Sequence, residues 1–194
     1  MKLIFASHNQ NKVLEINSLL KGIAEVHSLN DIGIFEEIPE TGITLKENAS
    51  IKARACYDLT GLHVFADDTG LEVEALNGEP GVFSARYAGP EKLAWKNMEK
   101  LMNELEAHEN KKARFVTFIS LIINQEEYFF EGEINGTIIH EMRGSNGFGY
   151  DPIFVPEGET RTLAEMSPDE KNKISHRAKA LEKMKSFLES YSKA

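Results

Sequence analysis

Helical and strand-like hydrophobic periods alternate along the whole chain. Apolar residues recur every three or four positions in residues 12–21, 44–59, 91–106 and a region that follows Ser167. Short apolar runs of strand type occupy residues 2–7, 24–29, 63–76, 114–123 and 126–139. We therefore predict an α/β fold, and the run 114–123, which is apolar almost throughout, indicates a central strand that is buried on both faces.

Two of the helix starts carry side-chain signals of their own. Thr44 is followed three residues later by Glu47, which makes a capping box, and Ser167, Pro168 and Glu170 give a second helix-start signal. The chain contains no internal repeat, low-complexity segment or linker. We therefore expect a single domain over residues 1–194, with two lobes as the alternative.

Composition indicates the cellular location of this domain and the classes of partner that it disfavours. With 41% hydrophobic and 27% charged residues, the chain is an ordinary globular one. The single cysteine, Cys56, allows no disulfide framework, and the N-terminal apolar run is too short for a signal peptide, so a cytoplasmic location is expected. The net charge of −9 argues against nucleic-acid or membrane partners and gives more weight to any basic cluster.

The segment SHNQNK, residues 7–12, connects the first predicted strand to the first predicted helix. Backbone amides and the helix dipole favour an anion at such a junction, and Lys12 adds a positive charge. The alternative is that Asn9 to Asn11 only form a turn and a helix cap. The Walker glycines are missing, which disfavours a P-loop nucleotide hydrolase.

Two adjacent aspartates, Asp67 and Asp68, follow an apolar run and precede Thr69 and Gly70. We predict a turn here between two strands, because an Asp close before Gly is common in turns. At a strand end, consecutive side chains point to opposite faces, so one carboxylate can face a site while the other braces the backbone. Mg²⁺ takes one or two carboxylates plus phosphate oxygens, and Glu40 is a candidate second ligand. A plain turn remains the alternative.

Within the glycine-rich segment 144–158, the stretch NGFGYDP (residues 146–152) contains two aromatic rings and an acid that suit a nucleobase pocket. Phe148 or Tyr150 can stack on a flat heterocycle, while backbone groups and Asp151 read its polar edge. The alternative is a loop that packs both rings into the core.

A basic cluster follows this segment, in a chain where acidic residues outnumber basic ones by 31 to 22. It consists of Lys171, His176 and Arg177, and Arg86 is a further candidate for a phosphate contact. Solvated helix faces are the usual explanation of such charges, and they stay open as the alternative. Taken together, the phosphate donors, metal carboxylates and base pocket are the inventory of a Mg²⁺-dependent nucleotide enzyme.

Six sequence blocks occur in the order and spacing of one known family. They are SHNQNK, ETG, ENASIKARA, ADDTGLEVEALNGEPGVFSARYAG, GFGYDPIF and SPDEKNKISHR. The chain therefore resembles the Ham1-like inosine triphosphate pyrophosphatases, also called XTP/dITP pyrophosphatases, over essentially its whole length. The resemblance implies an elongated α/β fold in which helices flank a long mixed β-sheet, and it implies a homodimer.

The resemblance also implies functional residues. It implies substrate contacts from Ser7, His8, Asn9, Gln10, Asn11, Lys12 and Thr69, with Asn9 and Lys12 on the phosphates. It implies Glu40 and Asp68 as Mg²⁺ ligands, Asp68 also as general base, and Asp67 in a supporting role. It implies a base pocket of Phe148, Gly149, Tyr150 and Asp151, closed by Lys171, His176 and Arg177. Many members have TGN where this chain has SHN, and serine where it has Thr69, which leaves the fine contacts open.

The implied activity is hydrolysis of a nucleoside triphosphate between the α and β phosphates, which yields the monophosphate and pyrophosphate. The implied substrates are ITP, dITP and XTP, purine nucleotides outside the standard set, and the implied role is cleansing of the nucleotide pool. Asp68 would activate water, and Lys12 would stabilise developing charge. Two alternatives stay open: a Maf-like nucleotide pyrophosphatase for modified pyrimidines or methylated bases, and a nucleotide-binding regulatory module without hydrolysis.

Overall fold

The computed structural model describes residues 1–191, which contain six β-strands and five α-helices. The strands are β1 (Lys2–Phe5), β2 (Glu25–Ser28), β3 (Val64–Val73), β4 (Lys112–Ile123), β5 (Glu126–Ile138) and β6 (Phe154–Pro156). The helices are α1 (Gln10–Leu19), α2 (Leu45–Thr60), α3 (Ala94–Leu105), α4 (Pro168–Ile174) and α5 (His176–Tyr191). Both predicted helix starts are confirmed, since Thr44 and Ser167 cap α2 and α4 with complete capping boxes.

These strands form one sheet in the order β2-β1-β3-β4-β5-β6. β1 is parallel to β2 and to β3, whereas β5 and β6 are antiparallel, so the sheet is mixed. Only Asn124 and Gln125 join β4 to β5, and both have a positive φ, as in the tightest hairpin turns. The predicted α/β class, with a mixed sheet and flanking helices, is confirmed, and the apolar run 114–123 belongs to an interior strand.

The chain divides into two compact units, and the division falls within β3, β4 and β5 and after the first residue of α5. The first unit comprises Met1–Asp68, Thr117–Gly132 and the described residues from Arg177 onwards. The second unit comprises Thr69–Val116 and Glu133–His176. In residues 1–191, no helix has the length and apolar character that a membrane crossing requires.

Strand alternation separates the core of the first unit into two layers. Phe65 belongs to the layer that packs against α1 and α5, whereas its neighbour Ala66 belongs to the layer against α2. Because side chains alternate along a strand, the next two residues follow the same rule. Asp67 therefore lies on the α1 and α5 side of β3, and Asp68 lies on the α2 side.

The second unit has a hydrophobic core of its own. Leu71 and Val73 of β3 pack there with Leu101 and Leu105 of α3 and with Phe154 of β6. β6 itself was missed by the sequence analysis, which expected a loop throughout residues 144–158. A strand of three residues is too short to show a period, and only its pairing with β5 defines it.

The predicted turn within residues 63–76 is wrong, because β3 runs unbroken from Val64 to Val73. All residues of this strand except Thr69 and Glu72 are buried. The strand lies in the interior of the sheet, with β1 and β4 as its neighbours. Pairing and burial on both sides therefore outweigh the local tendency of Asp-Thr-Gly to turn.

Candidate active site

Asp67 is enclosed on the α1 and α5 side of β3, with 1% of its surface exposed. Its Oδ1 accepts a hydrogen bond from Lys12 Nζ at 2.9 Å, and its Oδ2 accepts one from Arg177 Nε at 3.1 Å. Arg177 also donates to Glu15 of α1. Burial alone would raise the pKa of Asp67, but the Lys12 and Arg177 charges outweigh it and hold the pKa well below its usual range. Asp67 is thus a buried carboxylate that braces two cations.

Asp68 meets a different cation on the α2 side. Lys52 Nζ lies 3.5 Å from Asp68 Oδ1 and 2.6 Å from Glu40 Oε1. Burial raises the pKa of Asp68, and Glu40 and Asp67 add to this effect, although Lys52 and Lys12 oppose it. For Lys52, the two acidic neighbours outweigh burial and raise the pKa. The adjacent aspartates therefore differ: the fold favours the charged form of Asp67 and disfavours that of Asp68.

Lys52 was missed by the sequence analysis, although the sequence holds a signal for it. The buried face of α2 consists of Leu45, Asn48, Ala49, Lys52, Ala53 and Cys56. Two polar residues thus occupy positions of an otherwise apolar stripe, and buried polar residues need a specific partner. Glu15 was also missed, because a single acidic residue on a helix does not by itself indicate a buried partner.

Glu40 and Asp68 offer oxygen ligands around the same ammonium group. In the described part of the chain, residues 1–191, no three His, Cys, Asp or Glu side chains come together as a metal site. Two carboxylates suit a Mg²⁺ ion that completes its shell with substrate phosphates and water, rather than a metal held by protein alone. The residues present therefore fit an ion that binds together with a nucleotide.

The loop before α1 shows the capping arrangement that was one of its two interpretations. Asn9 is the N-cap of α1, and its Oδ1 accepts hydrogen bonds from the backbone N–H of Asn11 at 3.1 Å and of Lys12 at 3.3 Å. Ser7 Oγ accepts one from the Asn9 backbone at 3.2 Å, and Gln10 is exposed. Anion binding at this loop stays a prediction, and Lys12 is the side chain that would supply the positive charge.

His8 connects this loop to the acidic loop that precedes α2. Its ring nitrogens lie 2.9 Å from Asn30 Oδ1 and 3.1 Å from the backbone oxygen of Glu36. Glycine, which many relatives were expected to have at this position, makes no such contacts. The SHN sequence therefore adds a bridge to the segment that carries Glu40.

In the second unit, the structure brings together Phe148, Asp151 and Lys171. Asp151 Oδ2 accepts hydrogen bonds from the Phe148 backbone at 2.9 Å and from Lys171 Nζ at 2.7 Å. The same ammonium lies 4.8 Å from the centre of the Phe148 ring. Gly147, at φ +74°, is required because a Cβ there would lie 2.1 Å from Asp151 Oδ2. The arrangement offers a half-buried aromatic face beside a fixed pair of charges.

The other predicted pocket residues have different surroundings. Tyr150 is only 4% exposed, and its hydroxyl donates to the Ser84 backbone oxygen at 2.8 Å, so its ring belongs to the core. The buried His176 ring stacks on Phe115 with the ring centres 4.7 Å apart. Arg177 is 1% exposed, which rules out a solvated helix charge. Of the two predicted pocket rings, Phe148 is therefore the one that stays partly accessible.

Comparison with known proteins gives close matches over nearly the whole chain. A dITP/XTP pyrophosphatase from Porphyromonas gingivalis is 52% identical over 188 residues, which cover 96% of this chain and 97% of that protein. One from Flavobacterium psychrophilum is 50% identical and covers 97% and 99%. A HAM1 protein structure from Coxiella burnetii superposes with a TM-score of 0.90 at 40% identity and covers 98% of this chain and 99% of that one.

The structure of the Staphylococcus aureus Ham1 protein agrees, with a TM-score of 0.89, 39% identity and coverage of 98% of this chain and 100% of that one. The sequence profile of the Ham1 family matches residues 3–187, a range that includes both aspartates of β3, the loop before α1 and the Phe148 segment. From the profile, the relatives and the shared fold together, we conclude that this chain belongs to the Ham1 family.

Proposed function

We propose that this protein is a Mg²⁺-dependent nucleoside-triphosphate pyrophosphatase. It would convert ITP, dITP and XTP to the monophosphate and pyrophosphate, and so cleanse the nucleotide pool. The observation that carries the proposal is that the two adjacent aspartates of β3 have different partners. Asp67 forms an ion pair with Lys12, whereas Asp68 and Glu40 both lie beside the Lys52 ammonium. The dITP/XTP pyrophosphatase names of the relatives support the choice of reaction and substrates.

The residues of the first unit suit the triphosphate and the attacking water. The raised pKa of Asp68 brings its basicity closer to that needed in a general base, which would take a proton from water. Lys12 and Lys52 would contact phosphate oxygens and stabilise the charge that develops on them. Bound at Glu40 and Asp68, Mg²⁺ would neutralise phosphate charge and help to orient the water.

The cluster of Phe148, Asp151 and Lys171 suits the nucleobase of the substrate. The ring offers a stacking face, and Lys171 offers a donor beside it. Hypoxanthine and xanthine carry an O6 acceptor where adenine carries an N6 donor, so donors favour the 6-keto purines. Guanine shares O6, and its N2 group must be rejected by shape or by an unpaired acceptor. An unsatisfied buried polar group costs about 1 to 3 kcal/mol, which is enough for useful discrimination.

Arg177 and His176 were predicted to read the purine edge, and this role stays a prediction. The contacts that we describe for Arg177 go to Asp67 and Glu15. They favour a bracing role, in which Arg177 helps to fix the carboxylate that holds Lys12.

The proposal includes a homodimer in the cytoplasm, with no nucleic-acid or membrane partner. The family resemblance supports the homodimer, and the net charge of −9 and the single cysteine support the rest. Light scattering coupled to size exclusion measures the oligomeric state directly.

Product analysis with ITP and Mg²⁺ tests the proposed function. Release of pyrophosphate and inosine monophosphate is expected. Orthophosphate would instead indicate a phosphatase, and no turnover would indicate the binding module. A panel that adds XTP, dUTP and methylated nucleotides separates this activity from the Maf-like one, which membership of the Ham1 family already disfavours.

Lys12→Ala is expected to weaken binding of a triphosphate more than binding of its monophosphate, because the monophosphate lacks the outer phosphates. A charged hydrogen bond is worth about 1.5 to 3 kcal/mol, so affinity for a non-hydrolysable ITP analogue should fall roughly 10- to 100-fold. Calorimetric titration with that analogue and with inosine monophosphate measures both losses. Lys21→Ala, an exposed lysine just beyond α1, is the control, and equal losses for the two nucleotides would contradict the assignment.

A further inference from the structure

The segment that carries Glu40 is held in place by side chains of α2. Asn48 Oδ1 accepts a hydrogen bond from the Gly42 backbone N–H at 2.8 Å. Glu47 Oε2 accepts from the next two, those of Ile43 at 2.8 Å and Thr44 at 3.2 Å. Side chains in the first turn of α2 thus accept hydrogen bonds from three consecutive backbone N–H groups, those of Gly42, Ile43 and Thr44. The Glu47 contacts belong to the helix cap, whereas the Asn48 contact is additional to it.

Asn48 is an unusual residue for its position. It is fully buried on the apolar stripe of α2, four residues before Lys52. Its Oδ1 is identified by the Gly42 donor, and its Nδ2 is buried with no hydrogen-bond partner within residues 1–191. An aliphatic side chain would avoid the cost of burying this amide. What an aliphatic side chain cannot do is accept the hydrogen bond from Gly42.

The backbone at Gly42 packs tightly against α2. A Cβ at Gly42 would lie 2.7 Å from Glu47 Cβ and 2.8 Å from Asn48 Oδ1, so the backbone lies directly on the helix. Glu40 is two residues before Gly42, and its carboxylate reaches Lys52 at 2.6 Å, one turn along from Asn48. The Asn48 hydrogen bond and the Glu40–Lys52 pair thus join the same segment to the same helix face.

We propose that Asn48 is a positioning residue for Glu40, and that it sets the affinity of the site for a divalent cation by holding segment 40–42 on α2. The inference rests on the proposed function for the role of Glu40 as metal ligand. Groups that orient metal ligands typically change metal affinity by about 10- to 100-fold when removed. Asn48 acts through two residues of backbone, so a loss of roughly 3- to 10-fold is expected.

Direct Mn²⁺ binding is the test. Mn²⁺ is titrated into the full-length protein with a non-hydrolysable ITP analogue, and free Mn²⁺ is followed by electron paramagnetic resonance. Asn48→Ala removes the acceptor, whereas Asn48→Asp keeps an acceptor oxygen, lacks the Nδ2 donor and adds a carboxylate whose negative charge favours cation binding. Cys56→Ala is the matched control, because it truncates another buried side chain on the same face of α2. The melting temperature of each variant is recorded alongside.

Asn48→Ala should bind Mn²⁺ about 3- to 10-fold more weakly, while Cys56→Ala stays close to wild type and Asn48→Asp binds at least as tightly as the wild type. Wild-type affinity in Asn48→Ala overturns the proposal. So does an equal loss in Cys56→Ala, which would reduce the effect to general destabilisation. If Asn48→Ala does not fold, Asn48→Asp decides: wild-type or tighter affinity supports the acceptor role and a tenfold loss in a folded variant overturns it. Product analysis of the wild type tests the pyrophosphatase activity separately, so the two failures are distinguishable.

Discussion

Asp68→Asn is expected to lower ITP turnover by about 100-fold or more while the protein still folds. The amide cannot take a proton from water, and it is a poorer ligand than a carboxylate for a hard cation. Lys52 keeps Glu40 as a partner in this variant, so its charge stays paired. Steady-state kinetics with ITP and saturating Mg²⁺ measure the loss.

The control is Asp58→Asn, which makes the same chemical change at an exposed position of α2. Its turnover should match the wild type. Circular dichroism and the melting temperature show whether each variant is folded. If folded Asp68→Asn keeps wild-type turnover with added Mg²⁺, Asp68 has no part in the mechanism.

Asp67→Asn is expected to lower the free energy of unfolding by about 3 to 5 kcal/mol, the cost typical of removing one partner from a buried ion pair. The neutral amide leaves the buried Lys12 and Arg177 charges without the carboxylate between them. The direction follows from the pKa of Asp67, which folding lowers: the ionised carboxylate is more favourable in the folded chain than in the unfolded one at neutral pH.

Asp68→Asn, at the neighbouring position, is expected to affect stability differently from Asp67→Asn. Folding raises the pKa of Asp68, so its ionised form is less favourable in the folded chain, and Asp68→Asn should leave stability unchanged or slightly increased. Urea denaturation at pH 7 without divalent ions measures both variants. Equal destabilisation by the two substitutions would contradict the distinction between a bracing and a reactive aspartate.

Much of the fold could be predicted from local signals. The capping boxes at Thr44 and Ser167 are complete within four residues of sequence, so they mark α2 and α4 without knowledge of the rest of the chain. The mostly apolar run 114–123 likewise predicted an interior strand, because such runs are typical of strands buried on both faces.

The places where prediction failed involve partners far away in sequence. The turn expected at Thr69 does not form, since β3 is paired within the sheet there. Tyr150, predicted to be in the base pocket, directs its hydroxyl to Ser84, a residue 66 positions earlier. Lys52 could have been identified as a polar residue within an apolar helix stripe. Its pairing with Glu40 and Asp68 could not, because the sequence does not show that these residues lie next to it.

The sequence by itself determined most of the helices and strands, although not β6 or the unbroken course of β3, and it placed two carboxylates at adjacent positions. Backbone capping, hydrophobic period and residue type are local properties, so they can be read without the fold. Only the tertiary structure decided which aspartate does which task. Alternation turns Asp67 towards Lys12 and Arg177, the latter 110 residues away, and turns Asp68 towards Lys52. Charge and burial act through space, so the partners that separate the pKa values of Asp67 and Asp68 exist only once α1, α2 and α5 have packed on the sheet.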